Sequence, residues 1–260
     1  MRNTIFAGFL LGLMLTNLVR AETAEEKGTK IAKEIELRND GFIGESSKMK
    51  MVLIDAHGTS TDREMDGTVM EVPGDGNKSM SIFLAPKDVK GTKMLTWAHK
   101  NSDDEQWLYL PSLRRVKRIS GKNKSASFMG SEFSYEDIGG QEVEKYNYKW
   151  IKDGKMAGQD IWVLERIPLR DSGYSKQVLY VSQKYNNALK VEYFDRKNEL
   201  LKVGEFSEFK QFKVGPKTFW LANKIHMKNV QTQKQSTFTW LERKVGVKHK
   251  ANYFETRNLQ

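Results

Sequence analysis

The residues that could carry chemistry are few and scattered. The four histidines are His57, His99, His226 and His249, and no two share the spacing of paired metal ligands. Cysteine is absent, which removes thiol nucleophiles and disulfides together. There is no glycine-flanked serine elbow and no phosphate-cradling glycine loop. Carboxylates are plentiful. Asp103, Asp104 and Glu105 stand in succession, and a solvated polar turn accounts for them. A two-carboxylate hydrolase has no local signature, so an enzyme acting on envelope glycans or lipids stays open as an alternative. No catalytic residue, metal site or cofactor is assigned, and the expectation is a binding protein rather than an enzyme.

Three features speak for binding. The chain has eleven methionines and six tryptophans, and Met49, Met51, Met65, Met70, Met80, Met94 and Met129 all fall in its first half. Methionine suits surfaces that accept varied apolar partners, although ordinary core filling explains it too. Arg114, Arg115, Lys117, Arg118, Lys122 and Lys124 place six cations in eleven residues without an acid. This is either an edge strand guarded by charge or a surface for anionic lipid heads or a partner at the membrane. The segment Lys122 to Gln141 is rich in glycine and serine yet carries Phe128, Met129, Phe133, Tyr135 and Ile138. Such a loop is a lid or a plug.

The elements that must position these groups are mostly strands. Residues 23–39 read as a helix, capped by Thr23, with Glu25 and Glu26 in the first turn and Asp40-Gly41 as the stop. After it the period falls to two. Met49, Met51 and Leu53 share one face, and Met80, Ile82 and Leu84 alternate with Ser79, Ser81 and Phe83. Short polar turns link about eleven strands in a meandering antiparallel sheet. A bent sheet of this length has difficulty filling its own concave face, which favours a covered cavity.

The N-terminus reads as a leader. Arg2 precedes an apolar run from Ile5 to Leu15, and Val19 and Ala21 stand at the −3 and −1 positions of a cleavage site. The run falls short of the roughly 20 residues of a spanning helix. The expectation is cleavage after Ala21, export to a bacterial periplasm, and one domain over residues 22–260. No cysteine follows the cleavage site, so no lipid anchor is expected there. The formal charge is +10. Export argues against nucleic acid as its partner.

Several stretches resemble one family. Residues 66–71 (DGTVME), 86–97 (PKDVKGTKMLTW), 104–119 (DEQWLYLPSLRRVKRI) and 125–138 (SASFMGSEFSYEDI) look like the outer-membrane lipoprotein-sorting branch of the LolA-like superfamily, often associated with RND-type exporters. The resemblance implies an unclosed antiparallel β-barrel with helices and a loop over its open apolar face. It implies a monomeric periplasmic carrier for a lipid or the acyl chains of a lipoprotein, with transient membrane contact and an RND-type inner-membrane transporter as candidate partner. A sensor that reports mislocalised lipid to a membrane-bound regulator would use the same cavity. No single position matches the arginine hook of LolA, for which Arg114, Arg115 and Arg118 are candidates. The expected ligand-binding residues are Met49, Met51, Leu53, Met80, Ile82, Leu84, Trp107 and Tyr109, with Phe128, Met129 and Phe133 as a lid. Arg114, Arg115, Lys117 and Arg118 are the expected contacts for a partner or head group.

Overall fold

The computed structural model describes residues 20–260. The leader expected over residues 1–21 lies almost wholly outside them. Helix α1 spans Ala24–Asn39. Its start follows the sequence closely: the Thr23 hydroxyl accepts from the Glu26 amide at 3.1 Å, and the Glu26 carboxylate accepts from the Thr23 amide at 2.8 Å. That reciprocal pair satisfies two amides that the first helical turn leaves open.

Thirteen strands follow, more than the expected eleven or so. The first wing holds β1 (Gly44–Ile54), β2 (Ser60–Met70), β3 (Lys78–Ala85), β4 (Lys93–Trp97), β5 (Glu105–Leu110) and β6 (Arg115–Ile119). The second holds β7 (Tyr146–Met156), β8 (Gln159–Pro168), β9 (Lys176–Ser182), β10 (Asn187–Phe194), β11 (Leu200–Val214), β12 (Lys217–Asn229) and β13 (Gln235–Val245). Each strand pairs antiparallel with its sequence neighbour, and β1 pairs with β13 over Glu45–Ile54 and Gln235–Val245. The order therefore runs round a ring with a single missing pair, β6 with β7. The sheet is curled but not closed into a barrel.

The segment between those two free edges fills the gap. Phe128, Phe133 and Tyr135 from it are buried, Phe128 to 1% exposure. Phe133 lies 4.7 Å from Phe238, and Phe128 lies 5.8 Å from Phe83. They pack on inner-face residues of the first wing, among them Met49, Met51, Met65, Phe83 and Met94. The methionines there fill core. Of the two readings of this segment, lid or plug, its burial fits the plug. Its anchor is a buried ion pair, Lys202 Nζ to Asp137 Oδ2 at 2.5 Å, with both side chains about 5% exposed or less. Lys202 also donates to the Glu132 carbonyl at 2.8 Å, and the Tyr174 hydroxyl donates to Asp137 at 2.7 Å. Glu132 accepts from the Asn229 side-chain amide at 2.9 Å.

A second cluster lies on the outer face of the first wing. Met80 and Leu95 pack there against Phe254 and Leu259 from the C-terminal turns 251–254 and 256–259. The Trp97 indole donates to the Phe254 carbonyl at 2.7 Å. Strands β3 to β5 are consequently buried on both faces.

The anchor of the plug is open to test. Breaking a buried ion pair from one side typically costs about 3–5 kcal/mol. Lys202→Met should lower unfolding stability by roughly that amount in urea titration, and hydrogen exchange should quicken across residues 126–138. Unchanged exchange there would show that apolar packing alone holds the plug.

Candidate functional site

The plug covers the concave face under the first wing and reaches across to Val191, Tyr193, Met227 and Phe238 on β10, β12 and β13. Over β7 to β9 the cover is α1. Gly28 lets the helix come close: a Cβ at this position would sit 2.6 Å from the Trp150 backbone nitrogen on β7. Ile31 and Ile35 then meet Leu164, Leu179 and Val181 on β8 and β9. Helix and sheet do not meet along the whole length of α1. Between them lies a cavity of about 560 Å³, within the range of roughly 300–1,000 Å³ usual for small-ligand sites.

The wall is mostly apolar. Leu164, Leu179, Val181, Val191, Phe206, Phe219 and Leu221 come from the sheet, Ala32 and Ile35 from α1, and Val143 from the end of the plug segment. Charged groups line it too, but Asp137 pairs with Lys202, Glu142 with Lys145, Glu36 with Lys100 and Glu45 with Arg243, which leaves Arg166 as the buried cation of the wall without a carboxylate partner among the described residues. Arg166 is 7% exposed. Its Nε donates to Gln177 Oε1 at 2.6 Å and its Nη2 to Gln141 Oε1 at 2.5 Å, and the guanidinium lies 4.1 Å over the Tyr146 ring. Both acceptors are neutral amide oxygens. Burial alone would lower the arginine's pKa, but the neighbouring Tyr146, Tyr148 and Tyr193 outweigh it and the value is raised. Burial pushes Tyr146 up to about 12, so that phenol is neutral at ordinary pH. The cavity therefore holds a permanent cation without a carboxylate hydrogen-bonded to it, which favours a ligand bringing its own anion or ester carbonyl. Asn186 Oδ1 is a buried acceptor without a hydrogen-bond partner, and Asn186 lines the same cavity. It suits a hydroxyl or amide donor on the ligand.

The rim is polar and ties α1 down. Lys100, in the β4–β5 turn, reaches Glu36 of α1 at 3.0 Å and Glu144 at 3.4 Å. Burial opposes the Lys100 charge, and the two carboxylates more than restore it, so its pKa is raised. Beside it His99 Nδ1 lies 2.9 Å from Asp75 Oδ2, and the Lys100 amide donates to Asp75 Oδ1 at 2.8 Å. These two hydrogen bonds, His99's first, hold the Asp75 carboxyl down at about 2. At the other end Lys217 donates to the Asp40 and Leu37 carbonyls at 2.7 and 3.3 Å, where a helix terminus favours a cation. The Asn39 side chain donates to the Asn186 carbonyl at 2.9 Å. Two carboxylates meet near the cavity, Asp104 and Glu142, but Lys145 stands between them at 2.5 and 2.6 Å. Burial, set against the pull of Lys145, raises the Glu142 pKa.

None of the eleven side chains expected to bind ligand lines this cavity. Met49, Met51 and Leu53 do face inward, but they pack in the plugged half. Phe128, Met129 and Phe133 belong to the plug itself. Met80, Ile82, Trp107 and Tyr109 face outward, under the C-terminal turns. Leu84 is 37% exposed. The shared strand phase fails because the register puts Met49 opposite Met65 and Met65 opposite Phe83, not opposite Met80, Ile82 or Leu84. Arg114, Arg115, Lys117 and Arg118 are exposed on or beside the edge strand β6, and among the described residues only Arg118 of the four has a carboxylate partner, Glu105 at 2.7 Å. Arg166 was legible in principle: it continues the inward phase Trp162-Leu164 of β8, and a charge in step with an apolar face invites a functional reading.

Known proteins bear on this arrangement. A family model described only as an uncharacterized protein matches residues 75–260. A Vibrio parahaemolyticus domain described as a candidate outer membrane lipoprotein-sorting protein has 43% sequence identity and a TM-score of 0.87, over 90% of this chain and 99% of that one. A DUF1329 family protein of Desulfovibrio piger has 28% identity and a TM-score of 0.85, over 92% and 100%. A LolA superfamily protein of Nitrosomonas europaea shares the fold at 16% identity and a TM-score of 0.69, over 92% and 100%. No curated protein matches the chain.

The rim carries a pH signature. Because the Asp75 pKa is depressed from 3.8 to about 2, its contribution to stability is present above the unfolded value and is lost as pH falls through the folded one. Asp75→Asn should melt below the wild type at neutral pH, and the gap should close between about pH 4 and pH 2. A gap that stays constant across that window in thermal melts would assign the effect to something other than this carboxylate.

Proposed function

The chain belongs to the outer-membrane lipoprotein-sorting family within the LolA-like superfamily, and on that premise we propose that it is a carrier for a lipid or for the acyl chains of a lipoprotein. The observation that carries this reading is the roofed apolar cavity with Arg166 in its wall. Each methylene moved from water into such a wall gains about 0.8 kcal/mol, so an acyl chain supplies ample binding energy without any polar contact. Arg166 then orients the ligand by its acidic or ester head. Loading requires α1 to lift, and the contacts to be broken are at the rim: Lys100 with Glu36, and Lys217 with the end of the helix.

The carrier acts in the periplasm, after removal of its leader, as a monomer that takes cargo from the inner side and releases it towards the outer membrane. The donor is an RND-type transporter of the inner membrane. Arg114, Arg115, Lys117 and Arg118 form its contact, because they project beside a strand whose outer edge has no partner strand.

Native mass spectrometry and lipid extraction of the purified protein test the reading. The expected result is a bound acyl lipid. Ala188→Trp, which fills the cavity from β10, should abolish the loaded form while the protein still melts cooperatively. Arg166→Met should keep an uncharged alkyl probe but weaken a fatty-acid probe by about tenfold or more, the loss of one charge-assisted contact. A wild-type protein that carries no lipid and takes up no fluorescent fatty acid would overturn the proposal.

A further inference from the structure

The net charge of the chain is not spread evenly. Between Phe209 and Lys250 there are ten Lys and Arg residues and one acid, Glu242. This stretch thus holds +9 of the chain's formal +10. It comprises the end of β11, all of β12 and β13 and the first residues beyond them. Lys210, Lys213, Lys244 and Lys248 are exposed, and among the described residues none has a carboxylate within 4.0 Å.

An aromatic cluster sits among these cations. Tyr185, in the β9–β10 turn, stacks on Phe209 at 4.5 Å and lies 4.9 Å from Trp220. Lys184 stands over Tyr185 and Trp220 at 5.2 and 5.5 Å. All three rings are half-buried. On β13, Leu241 is 58% exposed. The same hairpin walls the cavity. Phe219 and Leu221 line it, and Trp220 between them points to the opposite face, as alternation along a strand requires.

We propose that the far half of the β11–β12 hairpin, with the end of β13, is the surface by which this protein docks on an anionic bilayer. The chemistry fits a lipid surface. Lysines gain from a negatively charged leaflet within a Debye length, and tyrosine and tryptophan settle at the level of the head groups. An isolated basic patch would serve an acidic protein equally well. A half-buried Tyr–Phe–Trp cluster and an exposed leucine among the cations favour the membrane. The position adds a second argument: docking through this hairpin brings a cavity wall to the bilayer surface, the place a lipid-like ligand must leave or reach. The charge and aromatic argument concerns the surface alone, and only the argument from position rests on the carrier reading.

Vesicle co-sedimentation of the purified full chain tests it. The wild type should bind vesicles of phosphatidylcholine containing phosphatidylglycerol, less so at high salt, and should not bind phosphatidylcholine alone. K210E/K213E/K244E should weaken binding by about tenfold or more, with unchanged melting. Trp220→Phe should reduce quenching of tryptophan fluorescence by brominated lipid. R114E/R115E/K117E, on the other cationic edge, should bind vesicles like the wild type. Equal binding to uncharged vesicles would overturn the proposal, as would loss of binding in the β6 variant with none in the hairpin variant. Lipid content by native mass spectrometry, measured on the same variants, separates the two hypotheses. Retained cargo with no vesicle binding in the wild type would sink docking and leave the carrier reading intact.

Discussion

β1 and β13 lie side by side although they are the first and last strands of the chain. That pairing turns two meanders into one curved surface. With it, each wing has one free edge, β6 and β7, and these are consecutive in sequence. The chain between them is therefore bound to cross the opening, and its content decides what the opening becomes. Twenty-five or so residues with three buried aromatic side chains fill part of the concave face. The remainder needs another cover, which α1 supplies from the N-terminal side. The cavity is what is left where the two covers stop.

The two covers are held differently. The plug is fixed inside the protein by Lys202 and Asp137, both buried, with Tyr174 and the Glu132 carbonyl completing their hydrogen bonds. Such a pair confers a definite geometry more than net stability. Helix α1 is held by Ile31 and Ala32 against the sheet and, at its rim, by Lys100, Lys217 and Asn39. The rim contacts are half-buried or exposed, and polar contacts of that kind are weaker individually than a buried pair and are screened by salt. The contrast leaves the plug anchored by a buried charge pair and the helix over the cavity held by apolar packing and by polar contacts at its rim.

Much of the fold was legible because it is local. The Thr23 cap and the acids after it announced α1, and alternation with short polar turns announced the strands. The phase of β3 to β5 was not, because the C-terminal turns bury their outer face, and a strand buried twice has no polar side to reveal which way it points. The cavity was not legible either. Its lining comes from α1, eight strands, the plug segment and the loops between them, one to four residues at a time, and no short motif spans such a set. Lys202 looks like an ordinary strand residue until its surroundings are known. The dense cluster at 114–124 draws the eye, while the larger asymmetry over 209–250 is diluted by spacing and shows only when the missing acids are counted.

The β1–β13 pairing also dictates a timetable. β1 is made early and its second neighbour almost last, so about two hundred residues must be in place before the ring can form. Closing a loop of that length is slow, since contacts remote in sequence are made late in folding. Until then β1 offers an unpaired edge and the methionine-rich inner face of the first wing lies open, a state liable to self-association. A chain threaded through a membrane pore from its N-terminus meets the same schedule: it cannot lock into its final form while any of β13 remains on the far side, and it stays pliable for as long as passage lasts.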